Sequence, residues 1–84
     1  MWTRKAAEQG HAGAQLGLGL MLREGRGAPQ DYAQAYMWFD LASRATDSDI
    51  RMQGAKNRDA PAAEMTPSQI AEAQRMAREW APVR

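Results

Sequence analysis

Hydrophobic positions recur along this chain at helical spacing. In the segment 12–24 the apolar residues fall at i, i+4, i+7 and i+8, which is the pattern of one buried stripe on a helix. These positions are Ala14, Leu18, Met21 and Leu22. Gly25 follows as the expected stop, because glycine adopts the left-handed conformation beyond a helix end without steric cost. The pattern predicts a helix over 12–24 and then a turn around Gly27 and Pro29.

A second and broader helix is predicted over 32–45. Asp31 is placed to cap it, and Gln34 three residues later completes a D-x-x-Q form of the capping box. Apolar residues then extend around most of the helix surface: Tyr32, Ala33, Ala35, Tyr36, Met37, Trp38, Phe39, Leu41, Ala42 and Ala45. A helix with so wide an apolar surface must be covered on more than one side. Stacked helical repeats are therefore expected.

The segment before this pair repeats its second half. A short helix is predicted over 2–9, and its Trp2 and Ala6 lie 36 residues before Trp38 and Ala42. This spacing divides the start of the chain into a half repeat over 1–10 and a full repeat over 11–45. One domain over 1–84 is expected, completed by a degenerate capping repeat over 46–84.

Two further helices are predicted in that last part. The first covers 47–60, with Thr46 and Asp47 as candidate caps and an apolar side of Ile50 and Gly54, extended by Met52 and Ala55. It should end at or before Ala60, because Pro61 breaks a helix interior. The second covers 67–80 and has the clearest start signal: Thr66 as cap, Pro67 at the first position and Gln69 closing a box. Its polar outer face is typical of a terminal repeat.

The segment KAAEQGHAGAQLGLGLMLREGRGAPQDYAQAYMWFDLA strongly resembles the Sel1-like repeat, a relative of the tetratricopeptide repeat. The resemblance rests on AAEQGHA at 6–12, LG at 18–19, G-x-G at 25–27, and PQDYAQA with Trp38 within 29–38. The segment from Arg58 to Trp80 also resembles a C-terminal cap of bacterial members. The resemblance implies an all-α, right-handed α-α superhelix with five helices that binds proteins.

Composition excludes several other classes of protein. Eighty-four residues allow one small domain that buries about 60% of its unfolded surface. Eleven basic and ten acidic residues are scattered singly, so no patch for nucleic acid is expected. The absence of cysteine excludes disulfides, thiolate nucleophiles and cysteine metal sites.

Location is predicted from the apolar runs. The first ten residues are too polar for a signal peptide, and no apolar run approaches the length of a membrane span. A cytoplasmic location is favoured for the chain as given, and a periplasmic one stays open if the chain is a fragment.

Several residues could suggest chemistry, but each has a structural explanation. His11 is the only histidine, and its place in the repeat motif favours packing at the start of a helix. Asp47 and Asp49 are two residues apart and do not share a helix face, so capping explains them better than a carboxylate pair. The glycine pairs around 17–27 lack the strand and the lysine of a phosphate loop, and close helix packing at Gly19 is favoured.

Aromatic residues could also form a ligand cage, but at helical spacing they more commonly form a core. This set comprises Trp2, Tyr32, Tyr36, Trp38 and Phe39. No catalytic residue, cofactor or metal site is therefore predicted, and the chain is expected not to be an enzyme.

One stripe has no assigned packing role. Leu16, Leu20 and Arg23 recur at i, i+4 and i+7, about 200° around the helix from the Ala14 line at roughly 100° per residue. In tetratricopeptide repeats such positions line a concave groove, and the resemblance implies a similar partner-binding groove here, with Gly13 and Glu24 at its margins. The alternative is that Leu16 and Leu20 pack on neighbouring helices. The residues leave both explanations open.

The expected function is that of a protein-interaction or scaffold module that binds a protein or peptide on its concave face. The alternative is structural. Repeat arrays usually need three or more units, so the chain could self-associate through its open helix 2–9 and complete a longer solenoid or a homodimer. The sequence does not identify the partner.

Overall fold

The computed structural model of the protein describes residues 2–27 and 29–80, and all regular elements in these ranges are helices. The elements are α1 (Trp2–Glu8), α2 (Ala12–Glu24), α3 (Tyr32–Ala42), α4 (Ser48–Asn57), α5 (Asp59–Ala62) and α6 (Pro67–Glu79). The predicted all-α class is confirmed, and the helix pairs stack as a short repeat solenoid. The Trp2 side chain, Ala28 in the predicted turn and Pro82, expected to follow the last helix, lie outside the described residues.

Helix α3 lies at the centre of the molecule and contacts α2, α4, α5 and α6. Its apolar residues turn in several directions and are buried: Ala35, Tyr36, Met37, Trp38, Phe39 and Ala42. The prediction that this helix is covered on more than one side is confirmed. The wide apolar surface of α3 explains why the other helices pack around it.

Close contact between α2 and α3 depends on a glycine. A Cβ atom at Gly19 would lie 2.7 Å from Cε1 of Phe39, so a larger residue would displace the ring. The close packing predicted at Gly19 is confirmed. Gly25 ends α2 with φ of 71° and donates its N–H to the Met21 carbonyl, which confirms the predicted stop.

The turn between α2 and α3 is fixed by hydrogen bonds to the end of α2. The Asp31 carboxylate accepts from the Gln34 N–H at 3.0 Å, as predicted. The N–H of Asp31, however, donates to the Leu22 carbonyl at 2.9 Å rather than to the Gln34 side chain. Gln30 Nε2 also donates to the Arg23 carbonyl. The turn thus satisfies carbonyls that the helix end leaves without partners.

The predicted helix over 47–60 ends at Asn57, before Pro61 as expected, but a further short helix, α5, follows it. Pro61 is the third residue of α5 and is buried. A proline is accommodated there because the N–H groups of the first helical turn have no acceptor within the helix. The helix predicted over 32–45 also ends earlier, at Ala42, where the Ser43 hydroxyl donates to the Asp40 carbonyl.

Helix α6 packs along α3 and begins with the predicted capping box. Thr66 Oγ1 accepts from the Gln69 N–H, and Gln69 Oε1 accepts from the Thr66 N–H. Its Ala73 and Ala77 are buried, and the ring centroids of Trp80 and Trp38 lie 5.8 Å apart in an edge-to-face arrangement. Its outer face is polar, as predicted, and carries ion pairs of Arg75 with Glu72 and Glu79.

Candidate interaction surface

The structure separates the five residues predicted to bind a partner. Leu16 is only 9% exposed and belongs to the hydrophobic core, while Leu20 is half-buried against that core. Gly13 and Arg23 are half-buried and Glu24 is exposed, with Arg23 Nη2 at 3.0 Å from Glu24 Oε2. The prediction that Leu16 binds a partner is therefore corrected: this side chain packs in the core, which was the alternative explanation.

Helix α4 explains this correction. Gly13, Leu16 and Leu20 share one side of α2 because they are spaced at i, i+3 and i+7. That side turns towards α4: Cδ1 of Ile50 lies 3.9 Å from the place of a Cβ atom at Gly13. Gly13, expected at the margin of a free groove, thus lies in the contact between successive repeats.

Adding the 36-residue repeat spacing to a position in α2 gives the equivalent position in α4. Leu18 then corresponds to Gly54, and both are buried in contact with α3. The same spacing places Met52 on α4 where Leu16 stands on α2. Met52 is 67% exposed, against 9% for Leu16. The two equivalent positions differ because α2 is covered on this side by α4, whereas no described helix covers α4 in the same way.

A shallow depression follows this exposed side of α4. Its lining residues are Asp49, Met52, Gln53, Ala55 and Lys56. Four of these positions repeat at i, i+3, i+4 and i+7, so they form one helix face. The burial predicted for Met52 on the apolar side of this helix is wrong, because α4 packs inwards through Gly54, against α3, and through half-buried Ile50, near Gly13 of α2.

We group the residues of these two helices as one candidate surface, which we call the α2–α4 face. It comprises Gly13, Leu20, Arg23 and Glu24 of α2 with Asp49, Met52, Gln53 and Lys56 of α4. Leu20 and Met52 supply apolar area, and both helices contribute cations and carboxylates. The α4 residues were missed at the sequence level. The signal that points to them is the repeat spacing carried one helix further.

The position of α4 is fixed by close backbone contact with α3. A Cβ atom at Gly54 would lie 2.6 Å from the Ser43 nitrogen and 2.8 Å from the Phe39 oxygen. These are backbone atoms that a side chain cannot push aside. Helix α4, which carries part of the α2–α4 face, is therefore held in direct contact with the backbone of α3.

An ion-pair network connects the end of α4 to α3. Asp40 of α3 is 6% exposed and accepts from Arg58 Nη1 at 2.5 Å and from Arg44 Nη2 at 2.8 Å. The Arg58 guanidinium also lies 5.9 Å from the centre of the Tyr36 ring. Two guanidinium groups thus balance the buried carboxylate.

Residues with possible chemistry are engaged in holding the helices. His11 Nδ1 accepts from the Ala14 N–H at 3.1 Å and caps α2. Asp47 accepts from the N–H groups of Asp49 and Ile50 and caps α4. Within residues 2–27 and 29–80, no group of three or more metal-ligating side chains occurs. None of the helices described is long and apolar enough to cross a membrane.

A smaller depression lies where α3 and α6 begin. Its lining residues are Asp31, Tyr32, Ala33, Glu64, Met65 and Gln69. The polar side chains of Asp31 and Gln69 already hold the N-termini of these helices. This depression is therefore a by-product of helix capping rather than a second candidate site.

Comparison with known proteins places the chain in a family. No curated protein and no solved structure gives a significant match. The model of the Sel1 repeat matches residues 1–11 and 12–47, more than half of the chain, and this match ends at the cap of α4. The chain therefore belongs to the Sel1 repeat family, whose repeats generally mediate protein–protein interaction.

Proposed function

We propose that this chain is a non-enzymatic module that binds a protein or peptide on the α2–α4 face. One observation supports the choice of surface: Met52 is a large hydrophobic side chain that stands 67% exposed beside a depression. The other large apolar side chains described are buried or half-buried. An exposed apolar residue within a polar rim is typical of a binding site.

The chemistry of the face defines the partner segment that fits it. Met52 and Leu20 provide apolar contact, and the flexible thioether of methionine adapts to differently shaped side chains. Arg23 and Lys56 orient acidic or carbonyl groups of the partner, while Asp49 accepts from its donors. An apolar segment flanked by both charges is therefore the expected ligand.

Rigid support lowers the cost of binding. The face lies on helices whose backbones are held by Gly54 and by the pair of Arg58 with Asp40, so little order has to be gained on association. The proposed mechanism is capture on a preformed surface.

Affinity capture from the source cells, followed by mass spectrometry, tests this proposal. Wild-type chain is compared with Met52→Glu and with the matched control Ala71→Glu, which adds the same charge on the exposed side of α6. We expect proteins that the wild type and Ala71→Glu retain to fall about tenfold with Met52→Glu, as for loss of a central contact. Equal retention by all three chains, with unchanged helicity, would overturn the proposed surface.

A further inference from the structure

The packing of α2 on α4 provides a template for what covers Met52. In that contact Gly13, the second residue of α2, lies beside Ile50, the third residue of α4, so the two helices begin side by side. The side of α2 that packs on α4 carries Leu16, and the equivalent side of α4 carries Met52. A further helix packed on α4 in this register would therefore cover Met52.

Helix α2 itself has the surface that such a contact requires. If a second α2 packed on α4 in the way that α4 packs on α2, its Gly17 would lie beside Met52 and its Met21 beside Lys56. Both Gly17 and Met21 are half-buried. The only neighbour near a Cβ atom at Gly17, within 4 Å, would be the Thr3 methyl group at 3.9 Å. The glycine thus leaves a hollow that a thioether can enter.

Charge supports the same pairing. Glu24 is exposed and follows Met21 by three residues, on the next turn of α2. The long side chain of Lys56, placed beside Met21, can reach that carboxylate. One cation and one carboxylate would meet at the rim of an apolar contact, which is the arrangement of a typical interface.

We propose that the occupant of the exposed side of α4 is a second copy of this chain, which docks its α2 head to tail on the first copy. Met52 of one copy enters the hollow at Gly17 of the next. This inference rests on the proposed function, since it assigns a partner to the same α4 residues. The contact is heterologous, because it joins α4 of one copy to α2 of the next. One unoccupied α2 and one unoccupied α4 remain at the two ends of the assembly, so the contact extends a solenoid rather than closing a dimer.

Site-specific cross-linking tests the pairing, because the chain has no cysteine of its own. Met52→Cys and Gly17→Cys chains are mixed under mild oxidation, and we expect disulfide-linked pairs of the two variants. Cysteine at Gly17 meets only ordinary contact, and Met21→Cys with Lys56→Cys provides a second pair. The matched control mixes Met52→Cys with Ala71→Cys, whose site lies exposed on α6, and should cross-link far less.

Sedimentation equilibrium gives an independent measurement. The mass of the wild type and of Ala71→Glu should rise with concentration and pass twice the 9.3 kDa of one chain, while Met52→Glu should stay near 9.3 kDa. Preferential linkage of Met52→Cys to itself, with a mass that stops at the dimer, would overturn the head-to-tail contact. A monomeric wild type at all concentrations, with neither cysteine pair linked, would overturn self-association. In that case loss of other captured proteins by Met52→Glu would still support the proposed function.

Discussion

Helices α2 and α4 occupy the same place in successive repeats, but they are held against α3 in different ways. Helix α2 inserts Leu18 and Leu22, which are 1% and 3% exposed. The equivalent positions of α4 are Gly54 and Arg58. Where α2 has two leucine side chains, α4 has a backbone contact and an ion pair with Asp40.

This difference shows that one repeat geometry can be maintained by different interactions. A fully buried leucine contributes about 1.5–3 kcal/mol, which α4 lacks at both positions. Glycine compensates by letting the helices approach until backbone atoms touch, and Arg58 compensates by pairing with a carboxylate that would be costly to bury alone. The apolar side chain that α4 does carry, Met52, faces outwards and is available for binding.

The largest effect is expected from closing the space at Gly54. Gly54→Ala should lower the free energy of unfolding by about 2 kcal/mol, because the new methyl group meets backbone atoms of Ser43 and Phe39 within 3 Å. Urea denaturation monitored by circular dichroism measures it. Gly17→Ala is the matched control on α2 and should stabilise by about 0.5–1 kcal/mol, since alanine favours the helix. A loss of similar size at both glycines would contradict the close contact at α4.

A smaller effect is expected at the ion pair. Arg58→Met should cost about 1–2 kcal/mol, because Asp40 stays buried with one cation fewer. Arg44→Met, which removes the more exposed of the two partners, should cost less than about 1 kcal/mol. Denaturation in the Asp40→Asn background provides the double-mutant cycle, where the Arg58 effect should largely vanish. An unchanged Arg58 effect in that background would show that the side chain acts by packing alone.

The smallest effect is expected at the exposed pairs of α6, which contrast with the buried pair of α4. The hydrogen bond from Arg75 lowers the pKa of Glu72 below its usual 4.5, with desolvation opposing this shift and the charge of Arg75 adding to it, and the pKa of Arg75 is raised by its hydrogen bonds to Glu72 and Glu79. A lowered pKa in the folded state means that Glu72 contributes stability above pH 4.5 and loses it as the pH falls through the folded value.

Thermal unfolding of wild type and Glu72→Gln over this pH range measures the contribution. The wild type should be slightly more stable at neutral pH, and the two curves should converge in acid. Because both side chains are exposed, salt should reduce the difference as well. A difference that persists or grows in acid would contradict this origin.

The sequence predicted the start or end of a helix correctly where a capping residue or a terminating glycine marks it. Asp31, Gly25 and Thr66 act within three or four residues, so their roles follow from the sequence around them. The short helix α5 was not predicted, because a proline is excluded from a helix interior but is accepted in a first turn, and Pro61 lies in the first turn of α5. The division of the chain into repeats over 1–10, 11–45 and 46–84 stays a prediction.

The sequence by itself determined the helical repeat, its family and the residues that must be buried in α3, because periodicity and caps are local properties. Only the tertiary structure decided which side of each helix is covered. Leu16 and Met52 occupy equivalent positions in the pattern, yet α4 packs over one and no described helix packs over the other. A single helix pattern contains no information about its neighbours in space, and the candidate binding surface therefore extends one repeat further along than the pattern indicated.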